Sequence, residues 1–170
     1  MPITPFHFCP GVLLKAAATD RMSWTVFVLA NCLIDMEPVT LFLVSGEPAH
    51  PWLHTLPGAV LVAAVAATPG RPFCELWLRW WNRNLSGAQA RWLGCGTVIG
   101  KKAAWVGALL GTGTHLALDM FMHADVRPAW PFFADNPFAG KIPVETLQWG
   151  ALAALLPALV IFLLRQRRAQ

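Results

Sequence analysis

Histidine and carboxylate side chains recur in this chain at intervals that let them share one ligand. His115, Asp119 and His123 stand at i, i+4 and i+8, which is one helical face over two turns. His50 and His54 repeat the i, i+4 interval, and Asp35 and Glu37 form an acidic pair in NCLIDMEP. His7 completes the histidines. Imidazole with carboxylate is a donor set for Zn2+, with Mn2+ or Fe2+ as alternatives, whereas Ca2+ and Mg2+ favour oxygen ligands. The candidate ligands are His7, Asp35, His50, His54, His115, Asp119 and His123. At about three or four protein ligands per zinc, that number favours two ions, while one ion backed by the remaining residues uses the same set. Without a cation, such a cluster buries several charges against one another.

The elements that must position these groups belong to a membrane protein. Of 170 residues, 56% are hydrophobic and only 13% charged, against about 25% charged in soluble domains. Mean hydropathy is +0.49, with nine Trp, ten Phe and no Tyr. This composition excludes soluble, disordered and disulfide-scaffold classes. Four apolar stretches approach the roughly 20 residues of a spanning helix: 22–44, 53–68, 103–122 and 147–164. A fifth, 12–19, is a half-helix. The expectation is an all-α, polytopic bundle of four transmembrane helices in a single domain, 1–170. The N-terminus has no basic segment before an apolar run, so no cleaved signal peptide is expected.

Lys and Arg set the orientation. Arg71, Arg79, Arg83, Arg91, Lys101 and Lys102 lie between the second and third stretches, and Arg165, Arg167 and Arg168 follow the fourth. Both segments are expected in the cytoplasm, C-terminus included. The connections 45–52 and 123–146 carry only Arg127 and Lys141 as bases and are expected outside. All five histidines fall in or beside segments on that outer side. In the cytoplasmic connection, Phe73, Leu76, Trp77, Trp80 and Trp81 oppose Glu75, Arg79, Asn82 and Arg83, the pattern of an amphipathic interfacial helix acting as anchor or lipid sensor. The net charge of +4 does not call for nucleic acid. Cys9, Cys32, Cys74 and Cys95 form no C-x-x-C pair and read as packing residues, although Cys9 and Cys32 neighbour His7 and Asp35.

Carboxylates inside a span cost about 2.5–3.5 kcal/mol each, so Asp35, Glu37 and Asp119 need partners. If the chain turns near Arg21, His7 lies 14 residues before the turn and Asp35 lies 14 after it. An antiparallel hairpin then brings both to one height. Each group also has a plainer reading: His115 with Asp119 as a hydrogen-bonded pair, and His50 as a solvated loop residue. Asp35 or Glu37 would orient or deprotonate a water. Asp125 would shuttle protons or support a ligand, and Arg127 would hold a phosphate, unless the two form a loop salt bridge. The Pro- and aromatic-rich loop 127–140 is either a lid or a rigid interfacial turn.

At these residues the chain resembles the YdjM-like family of inner-membrane metal-dependent hydrolases. The resemblance rests on T-P-x-H (Thr4 to His7), D-x-E at Asp35 and Glu37, HPWLHT around His50 and His54, and T-H-x-x-L-D from Thr114 to Asp119. The family carries D-x-D where this chain has D-x-E, and an H-R-G-x-T-H-S with wider His spacing and an Arg that are absent here. The ligand order is also similar to that of zinc-dependent phospholipase C and related single-strand nucleases, in which His7, Asp35, His54, His115 and Asp119 match ligands and His123 is a further one. The resemblance implies a hydrolase in the bacterial inner membrane, and the Lys and Arg distribution leads to the expectation that its site faces outward. A lipid-borne phosphoester is the expected substrate and the bilayer the expected partner. A metal transporter, or a non-catalytic protein with a structural metal, are the competing readings.

Overall fold

Prolines and small residues decide how the apolar stretches are cut and packed. The computed structural model describes residues 5–47 and 49–168, and all regular elements among them are helices. Thr4, the first residue of the T-P-x-H motif, lies outside the described residues. A 3-10 turn, Pro5–Phe8, leads into α1 (Cys9–Ala18), where Pro10 occupies the first turn and its missing N–H is harmless. A second 3-10 turn, Thr19–Arg21, precedes α2 (Trp24–Ile34), capped by the Ser23 hydroxyl, which accepts from the Val26 N–H.

Pro38 has no N–H to donate, and its ring crowds the carbonyl of Ile34. The first apolar stretch accordingly divides at Asp35 into α2 and α3 (Met36–Ser45). After a loop, Thr55 caps α4 (Leu56–Ala67), its hydroxyl accepting from the Gly58 N–H. Pro69 disfavours helical backbone at Thr68, and α5 (Gly70–Arg83) continues at 47° to α4. A short α6 (Gly87–Leu93) begins with a capping box between Ser86 and Gln89. The long α7 (Lys101–Met122) follows, then α8 (Val144–Ala153) and α9 (Leu155–Arg168), separated at Ala154 because Pro157 crowds Ala153 as Pro38 crowds Ile34.

α7 is the axis of the bundle, with α2 on one side and α4 on another. Its inward face is Ala104, Gly107, Ala108, Gly111, Thr112, His115, Leu116 and Asp119. A Cβ on Gly107 would come within 2.4 Å of the Ser23 carbonyl oxygen, and one on Gly111 within 2.7 Å of that of Phe27. Glycine at these positions therefore lets the α2 backbone touch α7. α4 contributes Ala59, Val62, Ala63, Ala66 and Ala67 inward, while Leu56, Val60, Leu61 and Val65 point outward and exposed. α9 likewise exposes Leu156, Leu159, Val160, Phe162, Leu163 and Leu164. Small residues inside and large aliphatic ones outside are what a lipid environment calls for.

Among the described residues, two helices are long and apolar enough to cross a membrane: Trp24–Ser45, taking α2 and α3 together, and Val144–Leu164. A third counts if α4 and α5 form one broken span. The second expected crossing, 53–68, contains only the 12 residues of α4, about 18 Å at 1.5 Å per residue. That is short of a hydrocarbon core of about 30 Å. α7 has the length, at 22 residues, but its inward Gly, Thr, His and Asp lower its hydropathy. The expected half-helix is present as α1, and the amphipathic helix as α5, which joins α4 directly. The Phe73, Leu76, Trp77 and Trp80 side chains of α5 are exposed.

The hairpin joining α1 to α2 holds. The Ser23 N–H donates to the Ala103 carbonyl at 2.9 Å near the start of α7, while His7 reaches Asp119 near its end. Residues 7 to 23 thus run the same length of the bundle that 103 to 119 cover on α7.

Candidate metal centre

Three segments deliver the histidines to one end of α7, and a fourth brings Asp35. His7 sits on the first 3-10 turn, Asp35 at the break between α2 and α3, and His50 and His54 on the loop before α4. His115 and Asp119 are on α7 and His123 caps it. The loop bearing His50 and His54 is held by Glu37, one of whose carboxylate oxygens accepts from the Trp52 N–H at 3.0 Å and the Leu53 N–H at 2.7 Å. At the loop's end the Leu56 N–H donates to the Pro128 carbonyl at 2.8 Å.

Asp119 is the hub. Its Oδ1 lies 2.9 Å from His7 Nε2 and 3.9 Å from His123 Nε2. Its Oδ2 lies 3.1 Å from His54 Nε2 and 3.2 Å from His115 Nε2. Asp35 Oδ1 is 3.2 Å from His115 Nε2 and 3.8 Å from His54 Nε2. The rings pack on one another: His7 on His115 at 4.2 Å between centroids, His50 on His123 at 4.5 Å, and His50 against His54 at 4.7 Å. All five histidines therefore form one continuous cluster with Asp35 and Asp119.

Two of these rings have their tautomer set by neighbours. The Asn31 amide donates to the Phe27 carbonyl at 2.9 Å, which turns its Oδ1 toward His115 Nδ1 at 3.2 Å. His115 Nδ1 must then be the donor, leaving the Nε2 lone pair toward the two aspartates. His50 donates from both its backbone N–H and Nδ1 to Asp125 Oδ2, each at 2.9 Å, which frees its Nε2 in the same way. Hydrogen bonding of the far ring nitrogen is the usual support of a metal-bound histidine. Partial burial would raise the Asp125 carboxyl above its ordinary value; the hydrogen bonds from His50 outweigh it and hold the group below.

The test of whether a cation fits is what the buried nitrogens lack. His54 Nδ1, His54 Nε2 and His115 Nε2 are buried and make no hydrogen bond. Buried polar atoms are rarely left so. Asp35, His54, His115 and Asp119, all buried, each offer a ligand atom within 4.8 Å of the others, and His50, His123 and Asp125 form a second such group. Nitrogen and carboxylate oxygen make both groups suitable for a divalent transition ion. Neither group includes Cys9 or Cys32.

Six of the seven candidate ligands fall in these two groups, and His7 joins them through Asp119. Glu37 is not brought to the cluster; it caps loop amides instead. Asp125 supports His50, and Arg127 makes no ion pair with it: the partner of Asp125 is His50, and Arg127 has none among the described residues. Arg127 lines a cleft beside His50. The loop 127–140 is anchored as a turn over the end of α7, where the Asn136 amide donates to the Met120 and His123 carbonyls at 2.8 and 3.0 Å. Sequence reading passed over Asn31, Gly107 and Gly111. Their signal was helical register: Asn31 precedes Asp35 by four residues, and Gly107 and Gly111 continue the His115 face by fours.

Fold and site together define an all-helical membrane protein with a buried His and Asp cluster able to hold a metal. A sequence model of the YdjM inner membrane protein family matches residues 7–170, and the chain belongs to that family. No curated protein and no solved structure matches the chain.

Proposed function

We propose that the protein is a membrane-embedded, metal-dependent hydrolase of a lipid-borne phosphoester. The observation that carries this is the convergence of the His54 and His115 nitrogens, buried and without a hydrogen bond, on the carboxylates of Asp35 and Asp119, beside an open cleft lined by Arg127. Asp35, His54, His115 and Asp119 would hold one ion, with His7, His50 and His123 ranged beside them. Zinc is the ion that the donor set suits first. When bound, such an ion supplies Lewis acidity, acidifying water and polarising a phosphoryl oxygen. Around it, Asn31 and Asp125 orient His115 and His50, Arg127 binds the anionic head, and Asp35 accepts a proton from water. Glu37 keeps the His50 and His54 loop in place. The distribution of Lys and Arg supports a cytoplasmic C-terminus and a site at the outer face, the arrangement of an even number of crossings, which we take as four.

One observation favours a rival. The inner four residues are all buried, and a closed coordination sphere is the mark of a structural metal. Purified protein, loaded with zinc, separates the two on a panel of phospholipids and small phosphodiesters. Hydrolysis that chelator and Asp119→Asn both abolish supports the enzyme. Full metal content by elemental analysis without hydrolysis of any ester returns the structural site.

A further inference from the structure

Two openings share one wall beside the cluster. The first is a cleft of about 320 Å3, lined by His50, Asp125, Arg127, Trp52 and Trp130. The second is an apolar groove of about 540 Å3 between Leu56 and Val60 of α4 and the loop residues Phe132 and Phe133; Trp130 lines it too. Each volume lies within the roughly 300–1,000 Å3 of small-molecule sites. Trp130 stands edge-on to Trp52 at 4.5 Å. The Leu56 N–H bonds the Pro128 carbonyl and so ties the loop to α4 beside the groove.

The chemistry of the two parts differs sharply. Arg127 is exposed and without an ion-pair partner among the described residues, so the cleft offers a guanidinium to an oxyanion. The groove offers no charged side chain, and Phe132 and Phe133, which line it, are 82% and 70% exposed. A soluble anion would fill the first and leave the second bare. A neutral bilayer lipid would cover the second and ignore the first. We infer that one amphiphile occupies both, its phosphate ester beside Arg127 and an alkyl chain along α4, with Trp130 as the divide. The phosphoester chemistry rests on the hydrolase reading above; the binding does not need turnover.

The test is photolabelling of the full chain in detergent with a lysophosphatidate carrying a diazirine in its acyl chain. A monoacylglycerol with the same chain serves as the comparison. The expected result is label on peptides covering 56–60 and 129–133. It should weaken about tenfold or more with the monoacylglycerol and with Arg127→Ala, and partly recover in Arg127→Lys. Val60→Trp, a change on the outward face of α4, should block the groove and remove the label. Equal labelling of wild type and Arg127→Ala, or label spread over α9 to the same degree, overturns the site. Selective labelling without hydrolysis of any lipid supports the site and removes the hydrolase reading. Hydrolysis with unselective labelling does the reverse.

Discussion

Asp119 carries two separate loads because its oxygens face different histidines, Oδ1 toward His7 and Oδ2 toward His54 and His115. Asn in its place keeps the shape but removes the charge and turns one acceptor into a donor. Asp119→Asn is therefore expected to lose bound metal, read by elemental analysis. A ligand bound only by the folded state at about a thousand times its dissociation constant adds about 4 kcal/mol of stability. Chelator should accordingly lower the melting temperature of the wild type and leave that of Asp119→Asn where it is; an equal fall in both would mean that the metal sits elsewhere. Asn31 acts at one remove. Leu fills nearly the same space but cannot accept from His115 Nδ1, and loss of such support typically costs about 10–100-fold in metal affinity. Competition with a zinc chelator should show that loss in Asn31→Leu with helix content unchanged. An unchanged affinity would make Asn31 a packing residue only.

At the scale of elements, the site exists because α2 can lie against α7. A methyl at Gly111 meets the Phe27 carbonyl at 2.7 Å and the Asn31 amide at 3.1 Å, whereas one at Gly113 meets nothing within 4 Å. Gly111→Ala is expected to lose about 1–3 kcal/mol to overpacking and to lower metal occupancy, because it displaces the helix that carries Asn31 and Asp35. Gly113→Ala, two residues away, should be neutral or gain up to about 1 kcal/mol from helix propensity. Thermal unfolding with metal analysis on the pair checks this; equal effects would mean that the close approach is not what matters. The histidine and aspartate face of α7 was legible because a fourfold interval fixes which side chains meet, and the hairpin placed His7 because residue counting fixes height. The break at Asp35 was not. A hydropathy window barely registers Pro38, yet that ring interrupts the helix for one residue at Asp35, within a segment that still runs as one from Trp24 to Ser45. Glu37 misled for the same reason: two residues beyond the break, it faces the loop amides of Trp52 and Leu53 rather than the cluster.

Across the whole molecule, large apolar side chains are exposed on α4, α5 and α9, and the charges gathered at the two ends of the bundle set its orientation. The His and Asp cluster gathers at the end of α7 beside the loop 123–143, whereas Arg71 bonds the Ile99 carbonyl near the start of α7, at the basic end. Charge asymmetry of this kind holds the Lys- and Arg-rich end in the cytoplasm, so the His and Asp cluster and the cleft should face outward. Two exposed positions report on the two ends: Cys95, on the connection between α6 and α7, and Ala124, immediately after His123. In chains whose other cysteines are alanine, a membrane-impermeant maleimide applied to spheroplasts should label Ala124→Cys from outside. Cys95 should react only after the membrane is opened. The opposite pattern would put the cleft on the cytoplasmic side, where it would meet inner-leaflet lipids and soluble phosphoesters.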